Sequence, residues 1–95
     1  MPAFIVARIH VHNADRLQEY GAAAAPTVAA HGGEFVLRGK HAASLLGEDT
    51  TPSVAIIQFP SADAAQSWFS SPEYQALAEL RAAAAQMEFT LFQAA

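Results

Sequence analysis

Four short runs of β-branched and aromatic residues, separated by two stretches with helical spacing, leave this chain few ways to fold. Residues 3–11 (Ala-Phe-Ile-Val-Ala-Arg-Ile-His-Val) contain no breaker and read as a strand. Asn13 offers an N-cap with Asp15 in the first turn, so a helix is predicted from about Ala14. Leu17, Tyr20, Gly21, Ala24 and Val28 share one side of it. Pro26 removes the bond to the Ala22 carbonyl, which implies a kink rather than an end. His31-Gly32-Gly33 then supplies a glycine cap. Glu34–Lys40 reads as a second strand, with Phe35 and Leu37 on one face and Val36 and Arg38 on the other. Residues 41–52 read as a loop, and Ser53–Phe59 as a third strand. Ser61 caps a short helix, and Ser71-Pro72-Glu73 restarts it with a serine cap and proline at the first helical position. This helix is expected to run through Leu77, Leu80 and Arg81 into the Ala82–Ala85 run, and Met87–Gln93 is the last strand. The order is βαββαβ over a single domain spanning 1–95. Two such βαβ halves imply an α+β, ferredoxin-like motif: a four-stranded antiparallel sheet with helices on one face, its second helix broken at Ser71-Pro72.

Alternation divides each strand between two faces. Ile5, Ile9, Phe35, Leu37, Ile57, Phe59, Phe89 and Leu91 form a wholly apolar floor for the helices. The other face collects Phe4, Val6, Val36, Val54, Ile56 and Phe92, together with Arg8, His10, Arg38, Gln58 and Thr90. That is too apolar for a solvated face and too charged for a dry core. Composition points the same way, since 53% of the 95 residues are apolar and a chain this short buries only a little over ~60% of its unfolded surface. The 23 alanines inflate that figure, but the remainder implies a second buried surface. Covering the mixed face with a second copy of the chain would supply it, leaving a polar inlet at the seam.

Several function classes fall away. The chain has no cysteine, hence no disulfide frame, thiolate metal site or thiol nucleophile. Nine acidic residues against five basic ones, with no basic cluster, argue against a nucleic-acid partner. The longest apolar runs fall far short of the ~20 residues of a membrane span, and the N-terminus lacks the pattern of a signal peptide. A soluble, cytoplasmic domain is therefore expected. His10 and His12 lie two residues apart on one strand face, but no third ligand stands at a suitable spacing, so no metal site is expected. No phosphate-binding glycine loop or nucleophile elbow is present.

His31-Gly32-Gly33, Arg38-Gly39-Lys40, Gly47, Phe59-Pro60, Ala64-Ala65 with Trp68-Phe69, and Ser71-Pro72-Glu73-Tyr74-Gln75 ending near Arg81 resemble one small family. It is the family called domain of unknown function 1330, within the dimeric α/β-barrel superfamily. The likeness spans nearly the whole chain, and His-Gly-Gly combined with Trp-x-x-Ser-Pro-Glu-Tyr is its most specific part. The resemblance implies a ferredoxin-like protomer and a homodimer whose two sheets form a barrel. Superfamily relatives include cofactor-free monooxygenases, muconolactone isomerases and haem enzymes. No axial haem ligand stands out here, and no cofactor is expected. One departure is Lys40, where family members often carry glycine after Arg-Gly.

The candidate site residues are few. His31, in the last turn of the first helix, lies where the dipole favours an imidazolium and suits a general acid or base; the alternative is a capping histidine that bonds the last carbonyls. Arg38 can anchor an anion through its planar fork of donors, and Arg81 offers the same. Their structural alternatives are pairing with Glu88 across the sheet and with Glu79 along the helix. Trp68 and Tyr74 flank the Ser71-Pro72 break, which would splay two helices apart and line a pocket with them and Tyr20. If His31 and Arg38 converge on a shared cavity, the chain reads as a cofactor-independent enzyme acting on a small anionic or aromatic metabolite. If they do not, it reads as a non-catalytic small-molecule-binding or accessory module, or as a purely structural dimer.

Overall fold

The computed structural model describes residues 1–95. The elements are β1 (Ala3–Val11), α1 (Ala14–Ala30), β2 (Glu34–Lys40), β3 (Ser53–Phe59), α2 (Ala62–Ser70), α3 (Pro72–Gln75), α4 (Ala78–Ala84) and β4 (Ala85–Gln93). The strands form one antiparallel sheet in the order β2-β3-β1-β4. This is the ferredoxin-like arrangement, with the two βαβ halves interleaved at the centre of the sheet.

Local chemistry sets the helix ends. The Asn13 side chain accepts from the Arg16 N–H, and the Ser61 hydroxyl accepts from the Ala64 N–H. Ser71 serves both sides of the break: its hydroxyl donates to the Trp68 carbonyl at 2.7 Å and accepts from the Tyr74 N–H at 3.2 Å. α1 runs unbroken through Pro26. The second helical stretch is interrupted once more than expected. Ala76 and Leu77 separate α3 from α4, and Ala85, expected in the helix, opens β4 instead. The cause is tertiary: the Ala84 carbonyl accepts from both His12 and Asn13 N–H at 2.9 and 3.0 Å, which ties the helix end to the β1–α1 turn.

One core fills the space between the sheet and the helices. Trp68 stands at its centre against the rings of Phe59, Phe69, Tyr74 and Phe89, at centroid distances of 4.2–6.3 Å. Its indole N–H donates to the Thr27 hydroxyl at 3.0 Å, which fastens α2 to α1. The glycine pair after α1 acts in two ways. Gly32 takes φ +76°, the left-handed turn that ends the helix. Gly33 is instead required by space, since a Cβ there would lie 2.6 Å from Phe59 Cε1 and 2.8 Å from Val28 Cγ1. Both neighbours are fully buried. Gly33→Ala is therefore expected to cost about 1–3 kcal/mol by overpacking, read as a lower urea midpoint with an unchanged slope. A loss below about 0.5 kcal/mol would contradict that close approach.

β2 departs from simple alternation. Phe35 pairs with Ile57, but Leu37 pairs with Ile56 and Arg38 with Ala55, so Val36 is the extra residue of a β-bulge. Beyond it every side chain changes face. Leu37, expected among the helix-facing residues, lies on the open face and is 46% exposed. Arg38, expected on the open face, turns toward the helices. The open face thus loses the arginine of its edge strand and gains a leucine, while Arg8 stays on it. Its rows across the sheet read Leu37–Ile56–Val6–Thr90 and Gly39–Val54–Arg8–Glu88, with Phe4 beside Phe92. Arg8 is paired with Asp49 of the 41–52 loop. Hydrogen bonds from the Thr51 N–H and hydroxyl, and secondarily Arg8, hold the Asp49 carboxyl below its usual range. No helix is long and apolar enough to cross a membrane.

Candidate functional site

Alanine hollows out a cleft between α1 and the sheet. The helix-facing row through the sheet centre reads Arg38–Ala55–Ala7–Phe89, with two small residues in the middle. Above it α1 presents Gly21, Ala22, Ala24 and Ala25 rather than large side chains. A Cβ added to Gly21 would meet nothing within 4 Å. Small residues thus face each other across the layer, and a cavity of about 740 Å³ remains, within the range of small-molecule sites.

Its walls are mostly apolar: Ile9, Leu17, Phe35, Ile57, Met87 and Phe89 contribute, with Trp68 and Tyr20 at the buried end. Arg38 and Lys40 stand at the exposed end, with Ser53 and Gln18 as neutral polar groups. No carboxylate lines the cavity, although the chain as a whole carries a formal charge of −4. The Arg38 guanidinium lies over the Phe35 ring, 4.2 Å from its centroid, which orients the fork of donors.

The candidate residues are distributed unevenly about this cleft. Arg38, Tyr20 and Trp68 line it. Tyr74 and Arg81 do not: Tyr74 is wholly buried against Trp68, and Ser71 at the break is buried beside it. They join the site one layer back. Arg81 Nη1 donates to the Tyr74 hydroxyl at 3.0 Å, and that hydroxyl lies 2.6 Å from the hydroxyl of Tyr20. Arg81 is therefore paired with Tyr74, not Glu79, and the cross-strand neighbour of Glu88 is Arg8, not Arg38. Burial above all, then the adjacent Tyr74, pushes the Tyr20 phenol well above the usual tyrosine range, so it is protonated at neutral pH.

His31 stands apart from this cleft. It is the C-cap of α1, and its Nδ1 lies 3.1 Å from the Thr27 carbonyl, a local bond that fixes the turn. It does not line the cleft and does not meet Arg38 there. The contact it makes is the capping one, and the α1 residues that line the cavity end at Ala25, six positions before it. No group of three or more histidine or acidic residues is arranged to hold a metal ion. Lys40, Phe35 and Gly21 also line the cleft and are not among the candidates the sequence offers. The legible signal was Gly21 and Ala24 on the inner side of a helix above a strand carrying Ala7.

Comparison with curated protein sequences finds no match. Among solved structures, the chain is similar to a protein of unknown function from Rhodopseudomonas palustris, with TM-score 0.82 and 20% identity over 99% of this chain and 82% of that one. It is also similar to SnoaB, a cofactor-independent oxygenase from Streptomyces nogalater, with TM-score 0.69 and 25% identity over 99% of this chain and 93% of that one. A dimeric ferredoxin-like protein of unknown function from Jannaschia sp. aligns with TM-score 0.73 and 15% identity over 99% of this chain and all of that one. These establish the ferredoxin-like fold. The model of the family described as domain of unknown function (DUF1330) matches residues 2–95, and the chain belongs to that family.

Proposed function

We propose that the cleft under α1 binds a small, flat, largely apolar molecule bearing one anionic group, with Arg38 as the anchor and Lys40 beside it. The observation that carries this reading is the lining: two cations and no acid at the exposed end of an otherwise apolar cavity of about 740 Å³. Apolar walls supply affinity, and the guanidinium fork supplies orientation. A probe with this chemistry is 2-naphthoate. By titration calorimetry, Arg38→Ala is expected to weaken its binding roughly 10- to 100-fold, the size of a lost hydrogen bond to a charged group. Equal affinity in the two proteins would sink the anchor.

A second copy on the open sheet face completes the proposed assembly. The protomer measures 35 × 33 × 16 Å, a single sheet under a single helical layer. A face of that size offers on the order of 1,000 Å², above the ~800 Å² per partner of a standard interface. The open face is apolar along the Leu37–Ile56–Val6 row, and the charge of Arg8 on it is already balanced by Asp49 of the same chain, which suits burial against a second copy. The described dimeric state of the Jannaschia relative supports the same reading.

A catalytic reading, turnover of the bound molecule without a cofactor, is favoured by one feature beyond the likeness to SnoaB. A protonated, buried phenol touches the cavity and is backed by Tyr74 and Arg81. In this reading Tyr20, not His31, is the group near the reacting atoms. Oxygen uptake with 1-hydroxy-2-naphthoate that is lost in Tyr20→Phe would support it; absence of uptake would leave the chain a binding module.

A further inference from the structure

The direction of the Arg81–Tyr74–Tyr20 chain determines what the inner end of the cavity can recognise. A guanidinium only donates, so the Tyr74 oxygen accepts from Arg81. A phenol has one proton, and Tyr74 is wholly buried, outside the cavity, with the Tyr20 oxygen as its only other hydrogen-bonding neighbour. Its proton must therefore go to Tyr20. The reverse arrangement, Tyr20 donating to Tyr74, would strand the Tyr74 proton in a site without an acceptor, which is the costly alternative. Donation thus runs from Arg81 to Tyr74 to Tyr20, and the Tyr20 proton is left over. Tyr20 is 8% exposed, makes no other hydrogen bond, and lines the cavity.

We infer that the Tyr20 hydroxyl is an unpaired donor aimed into the cleft, and that it selects ligands presenting a carbonyl-type acceptor at the end opposite their anionic group. The inference rests on the proposed anion-binding reading and narrows its substrate class to aromatic or conjugated keto-carboxylates. Tyr20 touches the ligand; Tyr74 and Arg81 are positioning residues that fix which way its proton points. Selection follows from the cost of mismatch, since a bound molecule without an acceptor leaves a buried donor unpaired.

Two bicyclic carboxylates separate the possibilities: chromone-2-carboxylate, which carries a ring carbonyl, and 2-naphthoate, which lacks one. The unsubstituted protein is expected to prefer the chromone about 3- to 10-fold, and Tyr20→Phe to abolish the preference by raising naphthoate affinity toward that of the chromone, since no donor is then left unpaired. Tyr20→Phe deprives Tyr74 of its acceptor and lowers stability, so a second measurement needs no variant. The infrared carbonyl stretch of the chromone should move to lower frequency on binding the unsubstituted protein. Equal affinities, a preference that survives Tyr20→Phe, or an unmoved carbonyl stretch overturns the inference and leaves the anion-binding reading standing. Failure of both probes to bind overturns both.

Discussion

Trp68→Ala is expected to lower the free energy of unfolding by about 3–5 kcal/mol. A chain of this length has roughly 5–14 kcal/mol in total, so about a fifth or more of its stability depends on one side chain. The indole is 1% exposed, touches four aromatic rings and ties α2 to α1 through Thr27. Its removal leaves a void beside the existing cleft, and the wall between them is gone. Urea unfolding followed by circular dichroism reads the loss. Trp68→Phe should cost about half as much, because it keeps ring contact and forfeits the bond to Thr27. A loss under about 1 kcal/mol for the alanine variant would mean that the helical layer is held elsewhere.

Ile56→Glu carries the other large effect, on association instead of folding. Ile56 sits mid-row on the open face between Leu37 and Val6. On a two-fold seam the substitution places two carboxylates, one from each protomer, in apolar surroundings with no partner. The dissociation constant is expected to rise at least about 100-fold, so that light scattering at micromolar concentration finds monomers where the unsubstituted protein is dimeric. Unfolding of the monomer should change little, since Ile56 is only half-buried within one protomer. A variant that remains dimeric would place the seam on another surface.

Much of this architecture was legible in the residues. Asn13, Ser61 and Ser71 each stand before a helical run and each caps it. Alternation placed Ile5, Ile57 and Phe89 under the helices correctly. Alternation also failed at a definable point. In Glu34–Lys40 the one glycine, Gly39, stands three residues past Val36 and does not mark the bulge, because the extra residue is set by pairing with β3, which a single strand does not encode. One inserted residue then moved Arg38 from the open face to the cavity and Leu37 the other way. The interruption at Ala76–Leu77 was hidden for a related reason: alanine and leucine are strong helix formers, and the packing of α4 overrides their propensity.

The same mechanism explains the uneven legibility of the site. Tyr20, Trp68 and Arg38 were identifiable as polar-tipped or forked side chains, but their convergence depends on the bulge and on strand register. Alanine, counted at first as inflation of the apolar content, is the residue that makes the cavity. Ala7 and Ala55 fall side by side in one row only because β1 and β3 pair in this register, with Gly21 and Ala24 above them. His31 was singled out by helix position, a signal shared by capping and catalysis, and here the Thr27 carbonyl takes it.

Trp68 is the only tryptophan of the chain and lines the cleft, so its fluorescence reports directly on whether the cavity binds. Titration with chromone-2-carboxylate is expected to quench it saturably in the unsubstituted protein. In Gly21→Leu the new side chain projects into the open space above the sheet, where a Cβ meets nothing within 4 Å. That variant should fold at least as stably, gaining about 1 kcal/mol from replacing a helical glycine, and its tryptophan should no longer be quenched at the same concentrations. Saturable quenching that is identical in Gly21→Leu, or no quenching in either protein, would contradict a binding cavity between α1 and the sheet.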